Sequence, residues 1–192
     1  EIALLAKETD EIFHCAAITD LNYSQKEIEK VNVEGTLNVL ELAQDLSLKT
    51  NHISTAYLYG DYEGIFKESD LDKGQKFTNN YEESKFKAEL LVGVYRAKGL
   101  WVDIYRPPIV IGDSKTGKTF QFKHIYQFID ICKREIFDCL QVEGSVVSLD
   151  QIDLLSEAIY TISESTKDKN RTYHPFPNKA IPVSDVLNMA SE

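Results

Sequence analysis

Tyr81 and Lys85 lie four residues apart in Tyr81-Glu82-Glu83-Ser84-Lys85. On a helix that spacing puts both side chains on one face. An ammonium beside a phenol favours the phenolate, so the pair is expected to draw the Tyr81 pKa from about 10 toward neutrality. Such a phenol can give a proton to a carbonyl or alcohol oxygen, or take one from it. Upstream, Ser54-Thr55-Ala56-Tyr57-Leu58-Tyr59-Gly60 ends a strand-like segment. In an open parallel sheet, chemistry gathers at the carboxyl ends of strands. A Thr55 hydroxyl placed there can hold a substrate oxygen against the phenol. Asn32 follows Ile28 by four residues, on the buried side of its helix. A buried amide needs hydrogen-bond partners, and a structural tie to a neighbouring strand would serve as well as a place in the site.

A second pattern points elsewhere. Gly112-Asp113-Ser114-Lys115-Thr116-Gly117-Lys118-Thr119 fits GxxxxGK[ST] after a strand, the spacing of a loop whose amides cradle phosphates. That loop normally opens its domain, and the nucleotide sheet is built after it. Here the chain beyond Thr119 is short and poor in strands, with Ser145 to Asp150 a weak candidate for a metal-holding strand. The phosphate-loop reading also leaves everything before residue 100 unexplained, so we read the match as fortuitous.

The elements that must position these residues alternate. Residues 1–9 read as a helix end, and 11–17 as a short apolar strand with Cys15 a small buried hydrophobe. Ser24 and Glu27 form a capping-box pattern before a helix with Ile28, Val31, Val39, Leu42 and Ala43 on its apolar stripe. A strand is expected over 48–56, then a polar Gly-bearing loop over 60–80, long enough to suggest a function. Tyr81 to Lys98 reads as a helix with Phe86, Leu90, Leu91 and Val94 inward, closed by Gly99. Trp101 to Ile111 reads as a strand broken by Pro107-Pro108. Helix is expected over 120–137, a short strand over 145–148, helix over 151–163, strand over 170–176, and a last helix over 184–190 capped by Ser184. Alternation up to residue 111 argues for an α/β fold with a mainly parallel sheet.

The composition narrows the function. The 192 residues allow one domain, or one with a small appendage, and 43% are apolar, enough for a core. Twenty-one Lys and Arg against 31 Asp and Glu leave a net charge of −10, with no basic cluster, which argues against nucleic-acid binding. No apolar run approaches the roughly 18 residues of a membrane span. The N-terminus lacks a signal-peptide pattern. Three cysteines (Cys15, Cys132, Cys139) with no CxxC pair fit a reducing, cytoplasmic setting. His14, His52, His124 and His174 supply no metal-ligand spacing, so no metal is expected.

Taken together, the motifs resemble the extended short-chain dehydrogenase/reductases. Tyr81 to Lys85 matches their YxxxK, and Thr55-Ala56-Tyr57-Leu58-Tyr59-Gly60 their [ST]-A-x-x-Y-G. Asn32-Val33-Glu34-Gly35-Thr36 is similar to N-V-x-G-T, His14-Cys15-Ala16-Ala17 to H-x-A-A, and Arg106-Pro107-Pro108-Ile109-Val110 to R-P-x-x-V. Five segments fall in the family's order, over about residues 8–112. Within the family, Tyr57 and the Gly112 to Gly117 run resemble the thioester reductase and fatty acyl-CoA reductase branch. That resemblance also accounts for the phosphate-loop lookalike.

The resemblance implies a Rossmann-like, doubly wound parallel sheet. The residues before 113 would form a partial dinucleotide-binding domain, and 113–192 a small C-terminal substrate-binding part. It implies Thr55, Tyr81, Lys85 and Asn32 as catalytic residues. Ala16, Ala17, Tyr81, Lys85, Pro107, Pro108 and Ile109 would border the cofactor, NADP(H) by preference with NAD(H) possible. The family's Gly-rich pyrophosphate turn and first strands are absent from the sequence, so Glu1 is expected to be an internal position of a longer chain. The implied activity is NADPH-dependent reduction of an acyl thioester, on a carrier protein or coenzyme A. The alternatives are a nucleotide-sugar epimerase or dehydratase, and a non-catalytic dinucleotide-sensing scaffold.

Overall fold

The computed structural model describes residues 5, 7–120, 122–123, 125–134, 144–175 and 180–191. The ends of the expected helices over 1–9 and 120–137, together with His124 and Cys139, fall outside them. The chain divides into two compact units. One holds the residues up to Arg106 and Tyr160–His174; the other holds Pro107–Ile159 and the residues from Pro175 on.

The first unit is built on a parallel sheet. Strands β1 (Glu11–His14), β2 (Lys49–Ile53), β3 (Val102–Tyr105) and β7 (Thr172–Tyr173) pair in the order β1-β2-β3-β7. Parallel neighbours require long crossovers, and helices supply them. Between β1 and β2 run α1 (Gln25–Glu29), a π turn (Lys30–Glu34) and α2 (Gly35–Leu46); between β2 and β3 runs α3 (Asn80–Ala97). The Ser24–Glu27 capping box is present, with the Ser24 amide donating to the Glu27 carboxylate at 3.0 Å.

The buried stripe of the first crossover differs from the expected one. It runs Ile28, Asn32, Thr36, Leu40, Ala43, while Val31 is exposed. The polar members are buried because tertiary hydrogen bonds satisfy them. Helix α3 departs in the same way. Its inward face is Ser84, Lys85, Ala88, Glu89, Val92 and Tyr95, and the expected inward residues Leu90 and Val94 lie about half exposed. Apolar periodicity misjudges a helix whose buried face carries paired charges. The apolar core itself is Leu40, Ala43, Val92, Tyr95, Leu100, Val102 and Ile104, below the polar residues and between helices and sheet.

The opposite sheet face is polar. Glu11 accepts from Asn51 Nδ2 at 2.7 Å and from Ser163 Oγ at 2.7 Å, and pairs with Lys49 at 3.1 Å. Ser163 lies in α5 (Ile152–Ser165), so helices cover both faces. Cys15 is exposed, not buried: β1 ends at His14, and the thiol lies past the strand on the sheet's carboxyl edge. The strand expected over 101–111 stops at Tyr105, because Pro107-Pro108 offers no amide to a ladder.

In the second unit, β4 (Ile109–Ile111) pairs in parallel with β6 (Leu149–Gln151). Strand β5 (Val146–Val147) pairs antiparallel with β8 (Ile181–Pro182). Helices α4 (Ile125–Lys133), the first turns of α5, and α6 (Val183–Ser191) complete it. Ser184 lies within α6 rather than capping it.

Candidate active site

Thr55 follows the carboxyl end of β2 in an extended conformation (φ −151°, ψ 150°) and caps the 3-10 turn Ala56–Tyr59. Its Oγ1 accepts from the Tyr57 amide at 3.2 Å. With that lone pair occupied, the hydroxyl hydrogen is free for the Tyr81 phenol, to which Thr55 is hydrogen-bonded. Tyr81 stands in the first turn of α3, where the Asn79 side chain accepts from the Glu82 amide at 2.9 Å. The buried Glu82 carboxylate is held by Thr78 and Asn79, finishing the cap.

The expected fall in the Tyr81 pKa does not occur. Burial pushes it up to about 12, the bond from Thr55 opposes the rise, and the Glu82 charge adds to it. Lys85 turns its ammonium to the Ile53 carbonyl at 2.7 Å. Burial lowers Lys85 to about 8, with Glu89 and Cys15 favouring the charged form. The two shifts leave a phenol that holds its proton and an amine close to losing one.

Asn32 sits in the π turn, a wider turn that is common at functional sites. Its Oδ1 accepts from the Ile18 amide at 2.7 Å, and its Nδ2 donates to the Ile18 carbonyl at 3.0 Å and to Ser84 Oγ at 2.9 Å. The Asn32 carbonyl accepts from the Thr36 hydroxyl at 2.6 Å, and Thr36 in turn meets His14 Nε2 at 3.0 Å. So the amide ties a loop and a helix, not a strand. His52 is buried beside His14 with neither ring nitrogen hydrogen-bonded, and burial holds it well below the usual imidazole value.

Ala16 is exposed and Ala17 half-buried past the end of β1. Their small side chains leave the backbone approachable, and the adjoining Cys15 lies within the field of Lys85. Ala16, Ala17 and the Lys85 ammonium therefore gather at the carboxyl edge of this unit's sheet. Pro107 and Pro108 are buried and Ile109 half-buried in the second unit, where the Ile109 amide donates to Ser148 at 3.2 Å.

Sequence reasoning missed the partners beneath the site. Glu89 lies one turn past Lys85 and receives Arg106 through two hydrogen bonds. Arg106 was visible only as the first residue of its proline motif. The Lys85–Glu89 spacing was the available signal for a buried charge pair.

The phosphate-loop lookalike is filled by two carboxylates, its own Asp113 and Asp153 of α5. The Lys115 and Thr116 amides donate to Asp113 at 3.1 and 2.8 Å, and the Ser114 amide donates to Asp153 at 2.8 Å. Among the described residues no helix follows the loop before Ile125. An anion would have to displace charges already seated on those amides. Among the described residues there is no group of three or more His, Cys, Asp or Glu that could hold a metal. Among them, too, no helix is long and apolar enough to cross a membrane.

Comparison with known proteins agrees with this geometry. Residues 1–159 match the NAD-binding family described as Male sterility protein, and the chain belongs to that family, of the extended short-chain dehydrogenase/reductase type. It is 27% identical over 191 residues to a linear gramicidin synthase from Brevibacillus parabrevis, covering 95% of this chain and 4% of that protein. It superposes on the terminal R domain from the myxalamid PKS-NRPS pathway with a TM-score of 0.86 and 26% identity, over 96% of this chain and 48% of that one. An archaeal thiolation-reductase di-domain of a non-ribosomal peptide synthetase gives 0.84 and 26%, over 97% and 42%. A UDP-glucuronic acid 4-epimerase from Bacillus cereus, solved with NAD, gives 0.76 at 20% identity over 98% and 61%, a likeness of fold. The sheet is thus Rossmann-like, as expected. The chain spans about half the length of the solved reductases and a small part of the synthase.

Proposed function

We propose that the natural protein carrying this chain is an NADPH-dependent reductase of acyl thioesters, held on a carrier protein or coenzyme A, working in the cytoplasm. The observation that carries the reading is the Thr55–Tyr81 hydrogen bond at the carboxyl edge of a parallel sheet, with Lys85 beside it. The similarity to the R domain and to the thiolation-reductase di-domain supports the thioester and the carrier.

The reduced dinucleotide, when bound, supplies a hydride to the thioester carbonyl carbon. Charge then collects on the carbonyl oxygen. On substrate binding the Thr55 hydroxyl turns its one hydrogen from the Tyr81 phenol to that oxygen, so both hydroxyls hold it where stabilisation lowers the barrier most. Tyr81 gives its proton, for which a phenol still protonated at neutral pH is suited. The carbon–sulfur bond then breaks to leave aldehyde and thiol. Lys85 holds the ribose hydroxyls and offsets the phenolate left behind. Asn32 positions the turn, and Ala16 and Ala17 admit the ribose.

The test is NADPH consumption by the natural protein with and without an acyl-CoA or acyl-carrier thioester. Thioester-dependent oxidation is expected, falling about 10²- to 10⁴-fold in Tyr81→Phe with folding retained. Unchanged turnover in that variant overturns the assignment. Tightly held NAD and no net consumption would instead favour the epimerase or dehydratase, and binding of dinucleotide with no turnover of either substrate class would favour a scaffold.

A further inference from the structure

Ser84 stands between the catalytic pair, three residues after Tyr81 and one before Lys85, and it is 1% exposed. Its hydroxyl does two things at once. It accepts from Asn32 Nδ2 at 2.9 Å and donates to the Tyr81 carbonyl at 2.7 Å. Asn32 is itself clamped to both backbone groups of Ile18. A continuous line of hydrogen bonds therefore runs from the loop after β1, through the π turn, into the first turn of α3. The loop carries Ala16 and Ala17; the helix turn carries Tyr81.

The geometry points to Ser84 as a positioning residue that sets Tyr81 against the loop on the cofactor side. This deepens the proposed function and rests on Tyr81 being the proton donor. The physical case has two parts. The leading amides of the helix are met by the Asn79 cap, but that cap does not reach the loop after β1. The Ser84 hydroxyl, held by Asn32, joins the Tyr81 carbonyl of the same turn to that loop. The amide of Asn32 has one hydrogen for Ile18 and one for Ser84, so removing the hydroxyl leaves a buried donor unpaired. The turn then relaxes, and a displacement on the order of 1 Å at a reacting group can cost about 10²-fold in rate. A serine acting only as a small residue in a crowded helix would show none of this.

The test uses the natural protein, an acyl-CoA thioester and NADPH, with two replacements at Ser84. Ser84→Ala removes the hydroxyl. Ser84→Cys keeps nearly the same volume but weakens both bonds, so it serves if the alanine variant folds poorly. Each is measured in the parent background by steady-state NADPH oxidation, and in both the parent and Tyr81→Phe by single-turnover oxidation at high enzyme concentration. In the parent, kcat is expected to fall about 10- to 100-fold with the thioester KM within about twofold. In Tyr81→Phe the same replacements should cost less than about threefold, because residues that act through one another do not add. Equal losses in both backgrounds mean a merely structural role and overturn the inference. So does parent-like kcat in Ser84→Ala and Ser84→Cys while Tyr81→Phe alone is inactive. If Tyr81→Phe itself turns over normally, it is the proposed function that fails, a result distinct from either of these.

Discussion

Glu89 and Arg106 meet through two parallel hydrogen bonds, Nε to Oε1 at 3.0 Å and Nη2 to Oε2 at 2.7 Å, with both side chains 2% exposed or less. The fork geometry of the guanidinium makes this the strong form of a charged hydrogen bond. The pair lies one helical turn below Lys85, whose ammonium the Glu89 charge favours. Arg106 also reaches toward the carbonyls of Lys67 and Glu68, so the same residue fastens part of the long loop before α3.

Breaking that pair from one side should be costly. Glu89→Gln leaves a buried guanidinium short of charge, and a loss of about 3–5 kcal/mol is expected in urea unfolding. Replacing both partners, Glu89→Leu with Arg106→Met, should recover much of that loss, since no charge is then stranded. A single-variant loss below about 1 kcal/mol would show that the pair is not isolated from water.

Lys85 should set the alkaline limit of activity. Burial lowers it to about 8, while Tyr81 keeps its proton to about 12. The pH dependence of kcat/KM for the reduced dinucleotide reports groups of the free enzyme. It should decline above about 8, where the ammonium is lost. A profile flat past 10 would remove Lys85 from the role.

The two buried histidines should make the fold sensitive to acid. Burial holds His14 at about 4 and His52 well below its ordinary 6.5. Between those values and 6.5 the unfolded chain binds protons that the folded chain refuses, so stability falls as pH drops through this window. His52→Leu removes one such group and two buried nitrogens without hydrogen bonds. It should raise stability by about 1–3 kcal/mol and flatten the slope between pH 6.5 and 4. An unchanged slope would mean that water reaches the ring.

Gly112 should tolerate no side chain. A Cβ there would stand 2.6 Å from the Gly117 carbonyl oxygen and 3.1 Å from that of Lys118, both backbone atoms that cannot swing aside. Gly112→Ala is expected to cost about 1–3 kcal/mol in thermal or urea unfolding. Gly117 has φ +67° and open space around it, so Gly117→Asn should be nearly neutral, asparagine being at home in that region. Equal effects at the two positions would contradict the close approach.

The alternation of helices and strands, the Ser24–Glu27 cap and the break at Pro107-Pro108 were all legible in the sequence, because each depends on a residue and its near neighbours. The same holds for Tyr81 and Lys85 on one helix face, where four residues make one turn. Three things were decided only by the tertiary structure. Cys15 is exposed because β1 stops one residue before it. The inward faces of the π turn, α2 and α3 carry Asn32, Thr36, Ser84 and Glu89, since partners as distant in sequence as Ile18, His14 and Arg106 satisfy them. The Tyr81 phenol is driven up rather than down, because the sequence shows a lysine nearby but not the burial that outweighs it or the Ile53 carbonyl that holds the ammonium. Local spacing determines which residues can share a face; only the packed chain determines what each of them meets there, and that sets their charge and their chemistry.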